Sequence, residues 1–244
     1  MLQPKLIELL EELFSIGGNH DIKKKVEIRQ KIIDFMTADN LFLKNDDDNF
    51  IMIKDTIRFI DAQNEFAITT NRDGASAHIK CFFDRISKMQ PEQWNYYELK
   101  LLVSSLFLIE KIDQAFKLGD NALIAIQQFE DINKVDVFKS SVACNICCRI
   151  LYAKYFDNVK TNLSDQFERW FEKLEVLAKE DNHIALDYLV TQIRKAVFYQ
   201  KRDEIRELLE ELETKHNKKI FDVVFKEVSI YYPKFDFRTE GGDV

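Results

Sequence analysis

Apolar residues recur every three or four positions through almost the whole of this chain. Leu6, Leu9, Leu10 and Leu13 make one stripe, and Ile28, Ile32, Phe35 and Met36 make a second. The spacing continues in Ile53, Ile57 and Ile60, in Ile79, Phe82, Phe83 and Ile86, and in Leu99, Leu102, Leu106 and Ile109. Phe116, Leu123 and Ile126 follow, then Phe167, Phe171, Leu174 and Leu177, then Leu186, Leu189 and Ile193. It closes with Ile205, Leu208, Leu209 and Leu212, and with Phe221, Val224, Phe225 and Val228. A half-buried strand alternates with period two, whereas this spacing lines one face of an α-helix. Six Gly and three Pro leave too few breakers for a loop-rich sandwich or a Gly-rich nucleotide-binding fold. With 46% hydrophobic residues the chain has enough apolar surface to offset its conformational entropy, which excludes disorder. The expectation is an all-α protein.

Turn-type residues cut the pattern into about eleven helices. They are Gly17-Gly18-Asn19, Lys44 to Asn49, Asn71 to Gly74, Gln90-Pro91, Asp131, Asp157-Asn158, Glu180 to Asn182 and Asn217. Pro91 reads as a first-turn proline, where its missing N–H costs nothing. Ser164 begins S-x-x-F rather than a capping box, so that start is less defined. Pro233 ends the last helix. From Pro91 the helices pair as 91–110 with 112–129, 133–155 with 159–179, and 182–200 with 202–216, leaving 218–232 as a terminal helix. That spacing fits helical repeats, in which each pair buries its second face on a neighbour. Leu118-Gly119 followed by Ala122 echoes a tetratricopeptide helix. The expected architecture is a right-handed, tetratricopeptide-like α-solenoid of helical hairpins. Its N-terminal helices occupy 1–90, its hairpins and a C-terminal dimerisation helix 91–232, and a flexible tail 233–244.

Residues with catalytic potential do not assemble into a motif. Cys144, Cys147 and Cys148 form C-x-x-C-C within a helical stretch, without the second ligand pair that a zinc site needs. They read as small buried hydrophobes. His20, His78, His183 and His216 are scattered. Asp46-Asp47-Asp48 lacks the central Gly and distal Glu of an EF-hand, and Glu204 to Glu213 reads as a solvated helix face. No P-loop, G-x-G-x-x-G or G-x-S-x-G occurs. No enzyme, cofactor or metal is expected. The N-terminal stretch has no signal-peptide pattern, no apolar run reaches the ~18 residues of a membrane span, and four Cys make no disulfide scaffold. A cytoplasmic protein is expected. The formal charge of −7 disfavours nucleic-acid binding by this chain alone.

Polar residues nevertheless interrupt some apolar helices. Asn145 and Arg149 lie four apart, with Tyr152 completing their face. Tyr188, Gln192 and Tyr199, flanked by Lys195, make a comparable stripe. The helix from Pro91 offers Tyr97 and Ser104, with Glu98 and Lys100 alongside. First helices of successive hairpins line the concave wall of a solenoid. A wall of Asn, Gln, Arg and Tyr suits an extended peptide, whose free backbone amides need side-chain partners. The bland alternative is that these groups satisfy interhelical hydrogen bonds.

The segment Trp94 to Leu108 resembles the W-x-x-Y-E-L-x-L-[FL] signature of the C-terminal domain of the Rgg/GadR/MutR transcriptional regulators. Trp94, Tyr97, Glu98, Leu99 and Leu101 match it, and the helix layout is similar through about Tyr232. The resemblance implies a cytoplasmic, dimeric, tetratricopeptide-like regulatory domain that in many members receives short secreted signalling peptides in quorum sensing. Ser104 stands where the family usually has Asn. Residues 1–36 read as acidic amphipathic helices rather than the family's helix-turn-helix, which leaves an excised domain and a stand-alone relative as alternatives. The function expected is a peptide-sensing regulatory domain, and its rival is a constitutive helical-repeat interaction scaffold. A homodimer is expected through Ile220, Phe221, Val224, Phe225, Val228, Ile230, Tyr231 and Tyr232, which cover more than one helix face.

Overall fold

Asparagine starts three of the helices by the same device. Asn71, Asn95 and Asn162 each hold extended backbone while the side-chain oxygen accepts N–H groups of the first turn. Those N–H groups have no partner within the helix, so each cap satisfies donors that would otherwise be stranded. The computed structural model describes residues 2–16, 21–38, 48–130, 135–157, 159, 162–216 and 218–232. Among them every regular element is helical. Six α-helices precede Ile132: α1 (Pro4–Ser15), α2 (Ile22–Ala38), α3 (Asp48–Thr69), α4 (Arg72–Ile86), α5 (Tyr96–Val103) and α6 (Ile112–Ile126). Five follow: α7 (Val135–Phe156), α8 (Leu163–Glu180), α9 (Ala185–Phe198), α10 (Arg202–Lys215) and α11 (Lys218–Tyr231). No helix among the described residues is long and apolar enough to cross a membrane.

The chain divides into two compact units, Met1–Ile132 and Asn133–Val244, so α5 and α6 belong with the N-terminal helices. In the first unit α1 packs on α2, α2 on α3, α3 on α4, and α5 on α6. Leu6, Leu10, Ile32, Ile53, Ile60, Ile79 and Phe82 are wholly buried there, as the helical period requires. Each such side chain stabilises by roughly 1.5–3 kcal/mol. In the second unit α7 packs on α8 and α9, α9 on α10, and α10 on α11. Phe167, Trp170, Leu174, Ile193, Ile205 and Leu209 form its core.

Two expectations need correction. Residues 91–110 are not one helix but a 3-10 turn at Pro91–Gln93, then α5, then a second 3-10 turn at Leu106–Leu108. Trp94 and Asn95 lie in extended backbone, which ends the first turn and starts α5 afresh. At the other end Ser105 Oγ donates to the Leu101 carbonyl at 2.6 Å, competing with the helical ladder. Asn71 to Gly74 is likewise no separate turn, because Asn71 is a cap and Arg72 opens α4. The turns read at Gly17-Gly18-Asn19, Asp131, Asn158 and Asn217 lie outside the described residues, as do His20, Asp46, Asp47 and the tail from 233 to 244.

Candidate functional site

The residues that carry the family resemblance are spent on holding α5 in place. Trp94 is 2% exposed, and Leu99 and Leu101 are buried beside it. The Asn95 side chain accepts the N–H groups of Tyr97 and Glu98, both at 3.0 Å, and Glu98 Oε2 accepts the Asn95 N–H at 2.9 Å. The other Glu98 oxygen accepts from Arg85 Nη1 at 2.6 Å, while Arg85 Nη2 donates to Asp55 at 2.8 Å. Burial raises the Asp55 carboxyl above its ordinary range even with Arg85 beside it. Tyr97 donates its hydroxyl to Glu11 at 2.9 Å, and the Lys100 ammonium reaches the same carboxylate at 3.1 Å. Ser104 caps the end of α5, and its carbonyl accepts from Gln63 Nε2 at 3.4 Å. The side chains of Asn95, Glu98, Arg85, Tyr97 and Lys100 thus all find partners inside the first unit, whereas the buried Trp94 indole N–H has none among the described residues.

On α7 the expected ligand face is similarly engaged. Asn145 Nδ2 donates to the Ser141 carbonyl of its own helix at 2.9 Å. The Arg149 side chain is 0% exposed and its Nη2 donates to Asp157 at 2.6 Å. Such a guanidinium is a structural group, because a ligand would have to open the core to reach it. Tyr152 packs its ring against Phe156 at a tilt of 43°, ring centres 4.6 Å apart.

The three neighbouring cysteines lie against a charged pair. Arg194 grips Glu227 through Nε and Nη2 at 2.8 and 2.9 Å and directs Nη1 to Cys144 Sγ at 2.9 Å. Burial outweighs that cation and pushes the Cys148 thiol up to about 12, and it raises Cys144 and Cys147 as well. Neutral thiols are poor nucleophiles and poor metal ligands. Among the described residues no group of three His, Cys, Asp or Glu side chains could hold a metal ion.

α9 has two unlike sides. Asp187, which accepts from Ser140 Oγ at 2.9 Å, and Arg194 tie it to α7 and α11. Ala185, Tyr188, Leu189 and Gln192 follow the helical stripe on another side and line a cleft of about 290 Å³. Glu175, Ala178 and Lys179 of α8 line it too, and so do Glu211 and Lys215 of α10 and the adjoining His216. The Tyr188 hydroxyl donates weakly to Glu175 at 3.4 Å, and its ring stands 5.6 Å from that of Phe171. Gln192 is half-buried, and its amide has no partner among the described residues.

Family models, curated proteins and solved structures all fail to match this chain.

Of the seven residues expected at a peptide site, only Tyr188 and Gln192 line it. Asn145, Arg149 and Tyr152 sit on α7 and do not line it, and Tyr97 and Ser104 belong to the first unit. Sequence reasoning missed Glu175, Lys179, Glu211, Lys215 and His216. The two Glu–Lys pairs did carry a signal, a spacing of four, but it is the spacing of any solvated helix face. Exposure accounts for the remaining histidines, since His78 and His183 lie on the surface.

Proposed function

We propose that this chain is a peptide-binding regulatory module, built as a tetratricopeptide-like solenoid of hairpins and related in role to the regulatory domains of Rgg-like transcription regulators. The observation that carries the proposal is the Gln192 amide on the lining of the α8–α9–α10 cleft, which offers a donor and an acceptor at once. A peptide bond needs both, and burying one unpaired costs about 1–3 kcal/mol. Tyr188 stands one turn away, so two contacts follow the line of an extended chain. The module works as a cytoplasmic homodimer whose contact is the outer side of α11. There Ile220, Phe225 and Ile230 remain half-buried while Phe221, Val224 and Val228 turn inward. Peptide in the cleft biases α9, and α9 holds α11 through Arg194 and Glu227, so occupancy reaches the dimer.

The rival is a constitutive scaffold that uses the same cleft with no response in the dimer. A pool of short peptides, screened by thermal shift on the whole chain with dimer mass followed by light scattering, separates the two. The sensor raises its melting temperature and changes its dimer constant on binding. The scaffold does only the first, and a chain that does neither, with no peptide disturbing the cleft, refutes the proposal.

A further inference from the structure

The cleft's size and its charged rim narrow the ligand further, given the peptide-binding role proposed for it. A volume of about 290 Å³ lies at the lower edge of the roughly 300–1,000 Å³ found for sites that enclose a whole small molecule. It suits one side chain of a longer ligand. Ala178, Ala185 and Leu189 give its lining small aliphatic surfaces. Tyr188 is the one Phe, Tyr or Trp among the lining residues, too few rings for the aromatic cage that holds a quaternary ammonium.

The rim carries one ion pair on each wall, Glu175–Lys179 at 3.6 Å on α8 and Glu211–Lys215 at 2.7 Å on α10. Two carboxylates balance two ammonium groups. A phosphate or polyanion would therefore meet repulsion from Glu175 and Glu211 wherever it gained from a lysine. Both lysines are largely solvated, with side chains 71% and 65% exposed, so each pair is worth little against water. Such pairs exchange partners at small cost, and a ligand bearing both charges replaces each lost contact with another. One bearing a single sign leaves two rim groups facing a like charge.

We infer that the α8–α9–α10 cleft takes one Leu, Ile or Val side chain of a peptide whose flanking residues carry opposite charges; this rests on the peptide-binding role. The flanking base meets Glu175 or Glu211, the flanking acid meets Lys179 or Lys215, and the peptide unit beside the anchor pairs with Gln192.

A displayed dodecapeptide library selected on the full chain tests this, with two cleft-filling variants, Ala185→Trp and Ala178→Trp, as counter-selection. Far-UV circular dichroism identifies which of the two keeps its fold, and that one is used. The expected result is enrichment of peptides that the filled cleft rejects, aligned on an aliphatic residue between a base and an acid. Replacing that anchor by Ala should lower affinity by about tenfold or more. Swapping rim signs with Lys179→Glu and Lys215→Glu together should shift the enriched flanks toward basic residues. Cleft-dependent peptides with aromatic anchors, or with flanks of one charge, would overturn the inference and leave the peptide reading standing. Enrichment that the filled cleft does not reject, or no enrichment, would overturn both.

Discussion

Two eight-residue stretches of this molecule have polar residues at similar helical spacings and opposite fates. In Trp94–Leu101 the conspicuous groups are consumed by the fold: Glu98 closes a capping box and takes the Arg85 guanidinium, and Tyr97 is bonded to Glu11. In Ala185–Gln192 the groups toward α7 are consumed in the same way, through Asp187 and Ser140. Those toward the cleft are not. Gln192 keeps an amide with no partner among the described residues, and Tyr188 holds only a long contact to Glu175. A polar residue in an apolar helix therefore signals function only when its partners are missing. The stretch that looks most like a motif keeps only the Trp94 indole N–H without a partner, and that group is buried where a ligand does not reach it.

That contrast can be broken by substitution, and the largest effects belong in the first stretch. Trp94→Ala should cost about 3–5 kcal/mol in urea denaturation, since a 2%-exposed indole leaves a cavity the core cannot close. A loss below about 1 kcal/mol would mean the segment is not the anchor described. Arg85→Ala should cost about 3 kcal/mol, because Asp55 and Glu98, with side chains 4% and 7% exposed, would lose the cation they share, leaving only Arg58, 3.5 Å from Asp55. Double replacement of both carboxylates by their amides should then recover part of the loss.

Lys25 sharpens the picture of the first unit. It is 2% exposed and donates to Gln63, whose amide reaches Ser104 at the end of α5. Burial lowers its ammonium from 10.5 to about 8, against the pull of Asp21. Below pH 8 folded and unfolded chains both hold the proton, and the native state carries the full penalty. Between about pH 8 and 10.5 only the unfolded chain still binds it, so this group's contribution to stability rises with pH, by about 3 kcal/mol in all. The raised thiols of Cys144, Cys147 and Cys148 act in the opposite sense over the same range, because the unfolded chain ionises first. The measurement is therefore the difference between Lys25→Met and the natural chain. The variant should be the more stable one at pH 7, and its advantage should shrink by pH 10.

The smallest effect lies just past α9. Gln200 holds φ at +58° where the helix closes, with the Lys201 N–H on the Ala196 carbonyl at 2.9 Å and the Gln200 N–H on Val197 at 3.1 Å. Glycine adopts that left-handed conformation without strain. Gln200→Gly should raise stability by roughly 0.5–1 kcal/mol and leave cleft binding unchanged. A change in binding would mean that the cleft depends on how α9 ends.

The same contrast separates what was legible in the sequence from what was not. The helical class was legible because stripes such as Leu6-Leu9-Leu10-Leu13 and Ile79-Phe82-Phe83-Ile86 are buried residue for residue. The break at Trp94 and Asn95 was not, because their neighbours' spacing also suits a helix interior and only the capping box shows where α5 begins. Gln192 was singled out as one of a polar stripe on its helix, and it lies on the cleft lining. Arg149 was picked out for the same reason, and it pairs with Asp157 eight residues on, beyond the i+4 reach by which helical pairs are read. The rim residues Glu175, Lys179, Glu211 and Lys215 come from α8 and α10, and no local pattern sets those two helices beside the same stripe of α9.

If α9, rather than α7 or the Trp94 segment, presents the free polar group a peptide uses, then Gln192 and Arg149 must respond to truncation in opposite ways. The most direct test measures melting and peptide affinity together for Gln192→Ala and Arg149→Ala, with a cleft-dependent peptide from the library. Gln192→Ala should keep its stability within about 0.5 kcal/mol and lose about 1–3 kcal/mol of affinity, some five- to hundredfold. Arg149→Ala should lose about 3 kcal/mol of stability, because it empties a fully buried position and takes the guanidinium from Asp157, with affinity in the folded fraction unchanged. The reverse pattern, a stable Arg149→Ala chain that no longer binds and an unstable Gln192→Ala chain that does, would contradict it.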